Sequence, residues 1–457
     1  MARKVLIANR GEIARRVIRA CRKLNLRSVA VYSEADAGMP FVEEADEAVL
    51  IGPASPRESY LQAAKIIEVL KDTGADSVHP GYGFFSESAE FAEHVRAAGA
   101  IWIGPAPETI RAMGDKQRAR GIAMAAGVPV VPGSERFPEG DLDGIEAAAE
   151  EVGFPLLVKA AAGGGGIGMK LVADAGDLVS TVEATQSMAG KAFGDGAVFM
   201  ERFIPRARHV EMQVFGFGNG NGVHFYERDC SLQRRYQKMI EESPAPGLSD
   251  ETRTSMQAAA IALVRHTDYA GAGTVEFLVD ATTQEFYFLE MNTRIQVEHP
   301  VTEMVTGVDL VAMQIDLAYG RPLEIHQDTI STEGASIECR LYAENPKKRF
   351  FPSPGPLRRL RFPEETENLR IEAAYREGND VTQYYDPMIA KVVVRGVDRR
   401  EAIDRAIAAL SHTVVEGTTT NRDFLIACLR NHDFVAGDVH TAFIEHNLDH
   451  LLSATET

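Results

Sequence analysis

Polar side chains recur at every second position of one short segment in the second half of the chain. Glu290, Asn292, Arg294, Gln296 and Glu298 alternate with less polar residues in EMNTRIQVE. Successive side chains of extended backbone point to opposite faces, so this spacing predicts one strand with all five groups on the same face. Carboxylate and amide oxygens suit Mg²⁺, and a guanidinium binds an oxyanion. The segment predicts a joint metal and anion site; the alternative is an acidic ladder on a solvated strand.

The preceding residues predict a β-hairpin that brings a second carboxylate to this segment. GTVEFLVD ends at Asp280, the polar stretch ATTQ follows, and EFYFLEMN begins at Glu285. Folding these runs together places Glu276 opposite Glu290 or one diagonal away. Two adjacent carboxylates repel each other unless a cation lies between them. The hairpin therefore strengthens the prediction of a metal site.

A glycine-rich segment, FPLLVKAAAGGGGIGMKLV at residues 154–172, predicts a strand, a glycine loop and a second strand. Such a loop can direct backbone N–H groups at phosphate, although it matches neither a Walker A loop nor a dinucleotide fingerprint. Lys159 ends the first apolar run, where a buried ammonium needs an anionic partner. The segment indicates phosphate binding, or alternatively a linker hairpin without a ligand.

A basic run, ERDCSLQRRYQK at residues 227–238, stands out in a chain with a formal net charge of −18. It contains Arg228, Arg234, Arg235 and Lys238. Clustered cations favour an anion site, but charge runs also occur as salt-bridged surface loops. Both interpretations stay open on the sequence alone.

Composition limits the class of protein. A chain of 457 residues exceeds one ordinary core, so two or three domains are expected. The negative net charge argues against a nucleic-acid partner. The four cysteines lack metal or disulfide spacing, and no apolar run is long enough for a signal peptide or a membrane span. We expect a cytoplasmic enzyme that does not bind the membrane.

The N-terminus alternates strand, helix and strand in KVLIA, GEIARRVIRACRKL and SVAVYSE, as in a Rossmann-like βαβ unit. Only Gly11 occupies the first turn, so the glycine fingerprint of a nicotinamide site is missing.

Seven strings occur in the order HPGYGFFSE, MGDK, KAAAGGGGIGM, RHVEMQV, RDCSLQRRYQK, EMNTRIQVEHPVTEMVTG and ECRLYAE. Together they resemble the biotin carboxylase family along nearly the whole chain, from Ile7 to about Leu448. The resemblance implies an α/β and α+β multidomain protein. Its expected parts are a Rossmann-like pre-ATP-grasp domain at residues 1–113, an ATP-grasp domain at 114–332 with a lid at about 130–203, and a β-rich C-terminal domain at 333–446.

The resemblance also implies an activity. An ATP-grasp ligase of this family makes carboxyphosphate from ATP and bicarbonate and then carboxylates biotin, which is supplied on a separate carrier protein. The implied cofactors are ATP, two Mg²⁺ or Mn²⁺ ions and biotin. The implied partners are a biotin carboxyl carrier protein, a carboxyltransferase subunit and a second copy of the chain in a homodimer. The carboxyltransferase chooses the final acceptor, acetyl-CoA in fatty acid biosynthesis being one case, so the sequence does not name it.

Individual residues take expected roles from the resemblance. The implied catalytic residues are Arg294, Lys238, Glu298 as the base for bicarbonate, and Arg340 as the cation beside the biotin ureido oxygen. Gln296 and Val297 complete the bicarbonate and biotin pocket, and Glu276, Glu290 and Asn292 match the metal ligands. The implied ATP-binding residues are Lys116, Lys159, Gly164, Gly165, Gly166, Met169, Glu201, Arg202, Phe203, Ile204, His209, Gln233, Tyr236, Glu276, Leu278 and Glu290.

The chain departs from the family pattern at two nucleotide positions. Tyr236 replaces a histidine, and Ile167 stands in the glycine loop where many members have arginine. Two further hypotheses therefore stay open: a ligase whose acyl phosphate reacts with an amine or another acid, and a nucleotide-binding homologue without activity. The presence of Lys238, Arg294 and Glu298 argues against the second.

The loss of a cation at Ile167 leads to a first prediction. Ile167→Arg should lower the nucleotide dissociation constant, because a guanidinium near the phosphates adds an attractive charge. Equilibrium nucleotide binding to both proteins measures the change. An unchanged or higher dissociation constant would contradict the prediction.

Overall fold

Parallel strands form the N-terminal region, as the sequence predicts. The computed structural model describes residues 3–161, 169–193, 195–235 and 237–455. The first elements are β1 (Lys4–Ile7), α1 (Gly11–Lys23), β2 (Arg27–Ser33), α2 (Pro40–Glu44), β3 (Glu47–Gly52), α3 (Ala63–Thr73), β4 (Ser77–His79), α4 (Ala89–Ala97) and β5 (Ile101–Trp102). The strands pair in the order β3-β2-β1-β4-β5, all parallel. Val5, Leu6 and Ile7 of β1 are fully buried, as expected of a strand covered by helices on both faces.

A small antiparallel sheet forms most of the predicted lid. This part of the chain contains α5 (Pro107–Gly114), α6 (Lys116–Ala125), α7 (Ile145–Val152), β6 (Leu156–Ala160), β7 (Met169–Val172), α8 (Leu178–Phe193) and β8 (Val198–Arg202). The strand order is β7-β6-β8, and α7 and α8 pack on it through a separate apolar cluster. The predicted strand on each side of the glycine loop is confirmed by the pairing of β6 with β7.

The central region forms the rest of the predicted ATP-grasp domain. Its elements are β9 (Ala207–Phe217), β10 (Gly222–Arg234), β11 (Gln237–Ser243), α9 (Asp250–His266), β12 (Ala270–Asp280), β13 (Phe286–Asn292), α10 (His299–Thr306) and α11 (Leu310–Ala318). The predicted hairpin is confirmed as β12 and β13, which pair antiparallel.

The C-terminal region is rich in short strands, as predicted. Its elements are β14 (Ala335–Tyr342), β15 (Glu344–Asn345), β16 (Phe351–Pro352), β17 (Gly355–Pro356), β18 (Arg359–Arg361), β19 (Leu369–Ala373), β20 (Asp380–Val381), β21 (Met388–Gly396), α12 (Arg399–His412), β22 (Val414–Glu416), α13 (Arg422–Arg430), α14 (His432–Ala436) and α15 (Phe443–Ser453). Within the described ranges, no helix is both long and apolar enough to cross a membrane.

One eight-stranded antiparallel sheet joins the central and C-terminal regions. Its order is β13-β12-β9-β10-β11-β14-β21-β19. The junction is formed by β11 and β14, from Ile240 opposite Cys339 to Ser243 opposite Ser336. The predicted domain boundary at residues 332–333 therefore does not separate two sheets, because strands from both sides of it belong to the same sheet. The α/β and α+β multidomain class is confirmed.

Candidate active site

A row of charged residues crosses four neighbouring strands of the large sheet. Glu290 on β13 pairs with Glu276 on β12, Glu276 pairs with Glu211 on β9, and Glu211 pairs with Arg228 on β10. Residues directly opposite one another in antiparallel strands project to the same face. The predicted placement of Glu276 opposite Glu290 is confirmed, and the structure adds a third carboxylate and a cation to the row.

The prediction of a single strand over residues 290–298 was wrong. Strand β13 ends at Asn292, and residues 293–298 turn into α10, which has Pro300 in its first turn. Buried Arg228 holds this turn against the sheet: it donates to Gln296 Oε1 at 3.2 Å and to Thr302 Oγ1 at 3.0 Å. These side-chain contacts replace the strand ladder that alternation alone would suggest.

The polar groups of this segment nevertheless line one cavity of about 870 Å³. The predicted site residues around it are Lys116, Lys159, Glu201, Arg202, Phe203, Ile204, His209, Gln233, Lys238, Glu276, Leu278, Glu290, Asn292, Arg294, Gln296, Val297, Glu298 and Arg340. Met169 does not line it; this residue begins β7, opposite Lys159. Gly164, Gly165, Gly166, Ile167 and Tyr236 lie outside the described residues.

Lys238 occupies the centre of the acidic groups. Its Nζ donates to Glu211 Oε2 at 2.7 Å, to Glu276 Oε1 at 3.0 Å and to Glu298 Oε1 at 2.6 Å. Burial opposes the charged form of this lysine, but the acidic neighbours raise its pKa well above the ordinary value. Lys238 is therefore an ammonium ion that compensates several carboxylates at once.

Glu298 is held on both of its oxygens by cations. Lys238 contacts Oε1, and Arg340 Nη2 donates to Oε2 at 3.0 Å. Burial alone would favour the neutral acid, but Lys238, Arg340 and Arg228 together lower the pKa of Glu298. The side chain is 2 % exposed and ionised near neutral pH. An ionised carboxylate at the wall of a cavity is able to accept a proton from a bound acid.

The basic run is not the surface loop that was one of its two interpretations. It lies on β10 and β11 and on the turn between them, where Arg235 has a φ of 49°. Arg228 is fully buried and bonded to Glu211 Oε1 at 2.5 Å, whereas Arg234 bonds Glu344 Oε2 at 3.1 Å. Within the run, Gln233, Arg235, Gln237 and Lys238 reach the cavity. The other arginines serve as structural ion pairs.

Two residues important to this network were not among the predicted site residues. Glu211 lies two positions after His209 on β9, so the alternation rule applied to RHVEMQV would have placed both on one face. Arg228 was noticed only as part of a charge run. No local pattern distinguishes an arginine that is buried among five polar partners from one in solvent.

The donor set around Glu276 fits a hard divalent cation. Glu276 and Glu290 face each other, and burial, together with the charge of Glu276, raises the pKa of Glu290. A cation between them would relieve that repulsion. Asn292 Nδ2 donates to Glu276 Oε1 at 2.9 Å, so the amide lies at the same place. These three residues could hold Mg²⁺.

The other end of the cavity is suited to a nucleotide. Lys159 on β6 contacts the carboxylate of Glu201 on β8, and the neighbours Phe203 and Ile204 add apolar wall. On the sheet side, His209 lies opposite Leu278, and His209 Nε2 is 2.8 Å from Glu276 Oε2. An apolar slot that leads to lysines and carboxylates could bind the purine ring of a nucleotide at one end and its metal-bound phosphates at the other.

Comparisons with known proteins agree with this geometry. Three family models match in order: "Biotin carboxylase, N-terminal domain" at residues 1–110, "Carbamoyl-phosphate synthase L chain, ATP binding domain" at 115–326 and "Biotin carboxylase C-terminal domain" at 338–446. Biotin carboxylase 1 of Bacillus subtilis is 47% identical over 448 residues, which cover 97% of this chain and 98% of that protein.

A longer relative and a solved structure extend the comparison. Methylcrotonoyl-CoA carboxylase subunit alpha of Rattus norvegicus is 47% identical over 99% of this chain, which spans 63% of that protein. The biotin carboxylase domain dimer of Hydrogenobacter thermophilus 2-oxoglutarate carboxylase, in complex with MgADP, ADP and bicarbonate, is 42% identical with a TM-score of 0.87. That match covers 99% of this chain and 98% of the other. This chain, with its carboxylate row and its ATP-grasp fold, belongs to the biotin carboxylase family.

Proposed function

We propose that this cavity performs the ATP- and bicarbonate-dependent carboxylation of biotin and that Glu298 is its proton acceptor. The observation that carries the assignment of the base is the position of Glu298 between Lys238 and Arg340, at the wall of the same cavity that Lys116 and Lys159 line. Arg294 lies on the same wall and is the proposed partner of the bicarbonate anion.

The low pKa of Glu298 has a consequence for the order of events. While Lys238 and Arg340 both contact it, Glu298 is a weak base. A bicarbonate anion that enters the site competes for the same cations, so its binding weakens their hold on Glu298 and raises the pKa of this carboxylate. Glu298 then accepts the bicarbonate proton, and the resulting carbonate dianion attacks the terminal phosphorus of ATP. The bond from that phosphorus to the bridging oxygen breaks, ADP leaves and carboxyphosphate forms. Glu298 is therefore a stronger base when bicarbonate is bound than when it is not.

The remaining predicted residues have matching tasks. Lys116 and Lys159 neutralise phosphate charge, while Glu201, Phe203, Ile204, Leu278, His209 and Gln233 hold the nucleoside. Glu276, Glu290 and Asn292 would hold Mg²⁺, which supplies charge neutralisation at the phosphoryl oxygens. Arg340 is the proposed cation for the ureido oxygen of biotin, which becomes negative when N1′ loses its proton.

The proposed partners are a biotin carrier protein, a carboxyltransferase subunit and a second copy of the chain. Partner subunits are supported by the Rattus norvegicus relative, which is named as the alpha subunit of a carboxylase. A dimer is supported by the Hydrogenobacter thermophilus structure. A cytoplasmic location is supported by four buried cysteines that are all free thiols, as is usual in a reducing compartment.

ADP release by the purified chain with MgATP tests the function. Bicarbonate and free biotin are added separately and together. We expect the highest rate only when both are present. ADP release that ignores biotin but depends on another acid or amine would overturn the proposal in favour of a different ATP-grasp ligase, and no release under any condition would favour the homologue without activity.

A second prediction concerns the metal ligands. Glu290→Gln should weaken binding of MgADP but leave the binding of ADP in EDTA nearly unchanged, because the amide keeps the shape but removes one anionic ligand. Calorimetric titration with and without Mg²⁺ measures both constants. Glu285→Gln is the matched control, because Glu285 directly precedes β13 and does not line the cavity. Equal losses with and without Mg²⁺ would contradict the assignment.

A further inference from the structure

Two buried carboxyl groups lie beside Arg340 and have no task in the reaction as proposed. Glu241 on β11 and Glu338 on β14 are both fully buried and stand directly opposite each other. Opposite residues of an antiparallel pair have Cβ atoms about 5 Å apart on one face of the sheet. Neither residue lines the cavity. They form an acidic pair in the wall just outside the site.

Arg340 connects this acidic pair to the proposed base. It follows Glu338 by two positions on β14 and so shares its face. Its Nε lies 2.6 Å from Glu241 Oε1, while its Nη2 donates to Glu298 Oε2 at 3.0 Å. One edge of the guanidinium thus faces Glu241, and the other edge faces the cavity.

The charges around the pair are unbalanced. The carboxyl groups of the pair and its neighbours are Glu241, Glu338, Glu211, Glu276, Glu298, Glu12 and Glu372, and the cations are Arg228, Lys238, Arg340, Lys391 and Arg19. Burial raises the pKa of the Cys230 thiol, which is therefore neutral. His299, at the start of α10, packs on the same face but is held neutral by burial, which lowers its pKa. Lys391 serves Glu12 at 3.2 Å and the Val297 carbonyl at 2.7 Å. Among the described residues, no oxygen of Glu338 or Glu241 accepts a hydrogen bond, so Glu241 and Arg340 Nε form a close ion pair without hydrogen-bond geometry.

A proton on one of the paired carboxyl groups would reduce this excess and supply a donor between them. Burial favours the neutral acid in both residues, raising the pKa of Glu241 to about 7 and that of Glu338 well above its ordinary value. Because Glu241 faces the guanidinium directly, the proton belongs on Glu338.

We propose that the pair of Glu241 and Glu338 carries one proton, which is on Glu338, and that both are positioning residues for Arg340. They hold the Nε edge of the guanidinium, while its other edge first contacts Glu298 and then the ureido oxygen of biotin. This inference rests on the proposed function. When Glu298 accepts the bicarbonate proton it becomes neutral and releases Arg340. Glu241 remains ionised and keeps the guanidinium in place, so that the freed Nη2 points into the cavity.

Substitution by glutamine distinguishes the two members of the pair. Glu241→Gln removes the anion behind Arg340, and it should raise the KM for free biotin by about tenfold or more, because the buried guanidinium loses its ion-pair partner. Bicarbonate-dependent ADP release without biotin should stay close to that of the unsubstituted chain. Glu338→Gln replaces a neutral acid by a neutral amide, so its KM for biotin should stay near the original value.

The pH profile adds a readout that a purely structural role would not change. If Glu338 holds the proton, kcat/KM for biotin of the unsubstituted chain falls at alkaline pH as that proton is lost, and the fall is absent in Glu338→Gln. Glu242→Gln is the matched control, since Glu242 is the next residue, points to the other face and bonds Arg399 at 2.5 Å. If Glu241→Gln does not fold, Glu241→Asp keeps the charge at a longer distance and should raise the KM for biotin less than loss of the charge would.

The outcomes separate this inference from the proposed function. Absence of biotin-stimulated ADP release in the unsubstituted chain would refute the function itself. With that activity present, an unchanged KM for biotin in Glu241→Gln, or in Glu241→Asp where only that variant folds, would refute the inference alone. So would a Glu338→Gln variant as impaired as Glu241→Gln, or one that retains the alkaline fall.

Discussion

Glu298→Gln is expected to lower bicarbonate-dependent ADP release by about 10²–10⁴-fold, the range in which a general base contributes. The amide fills the same space but cannot accept the bicarbonate proton. Nucleotide affinity should change little, because Glu298 contacts Lys238 and Arg340 of the large sheet, whereas Glu201 contacts Lys159 on the separate lid sheet. Initial-rate assays and nucleotide titrations on the same preparations measure both effects.

The control for this experiment is Glu227→Gln. Glu227 is also buried in the large sheet, but it pairs with Arg253 at 2.8 Å and does not line the cavity. Its substitution tests the general cost of losing a buried carboxylate. Turnover retained by Glu298→Gln would assign the base to another residue, and equal loss in both variants would indicate a folding defect rather than lost chemistry.

Arg228→Met should be the most destabilising single change that we propose. Arg228 has no exposed surface and donates to Glu211, Gln213, Thr274, Gln296 and Thr302. Removing one partner of a buried ion pair leaves the other charge uncompensated, at a cost of about 3–5 kcal/mol. A lower Tm in calorimetry and a raised KM for bicarbonate are the expected results, because Gln296 loses its contact with Arg228 and keeps the one to Glu276 Oε1 at 2.8 Å.

Arg234→Met is the matched control for this change. Arg234 lies on the same strand, but it is partly exposed and bonds Gln237 and Glu344, which are not part of the carboxylate row. It should lower Tm much less and leave the KM for bicarbonate nearly unchanged. An Arg228→Met variant with the same Tm as the unsubstituted chain would show that the row across the sheet does not depend on this guanidinium.

The sequence predicted the parts of this site that depend on local periodicity. The polar turn between two strand-like runs predicted the hairpin that sets Glu276 opposite Glu290 or one diagonal away, and apolar runs beside the glycine loop identified β6 and β7. Alternation failed at residues 293–298, where contacts from Arg228, distant in sequence, override the extended pattern. The alternation in RHVEMQV does place Glu211 on the face of His209. Nothing in the sequence indicated that Arg228 completes the row, because burial and long-range pairing cannot be inferred from local spacing.

The continuous sheet determines which distances in this enzyme are constant. Lys238 belongs to β11 and Arg340 to β14, and these neighbouring strands share backbone hydrogen bonds although they come from different predicted domains. Lys159 and Glu201 belong to another sheet, β7-β6-β8. A hinge between the sheets would therefore carry the nucleotide-facing groups toward or away from a fixed pair of cations. The spacing of Lys238 and Arg340 would then be the same in the carbonate step and in the biotin step, and only the contacts of Lys159 and Glu201 with ATP would change.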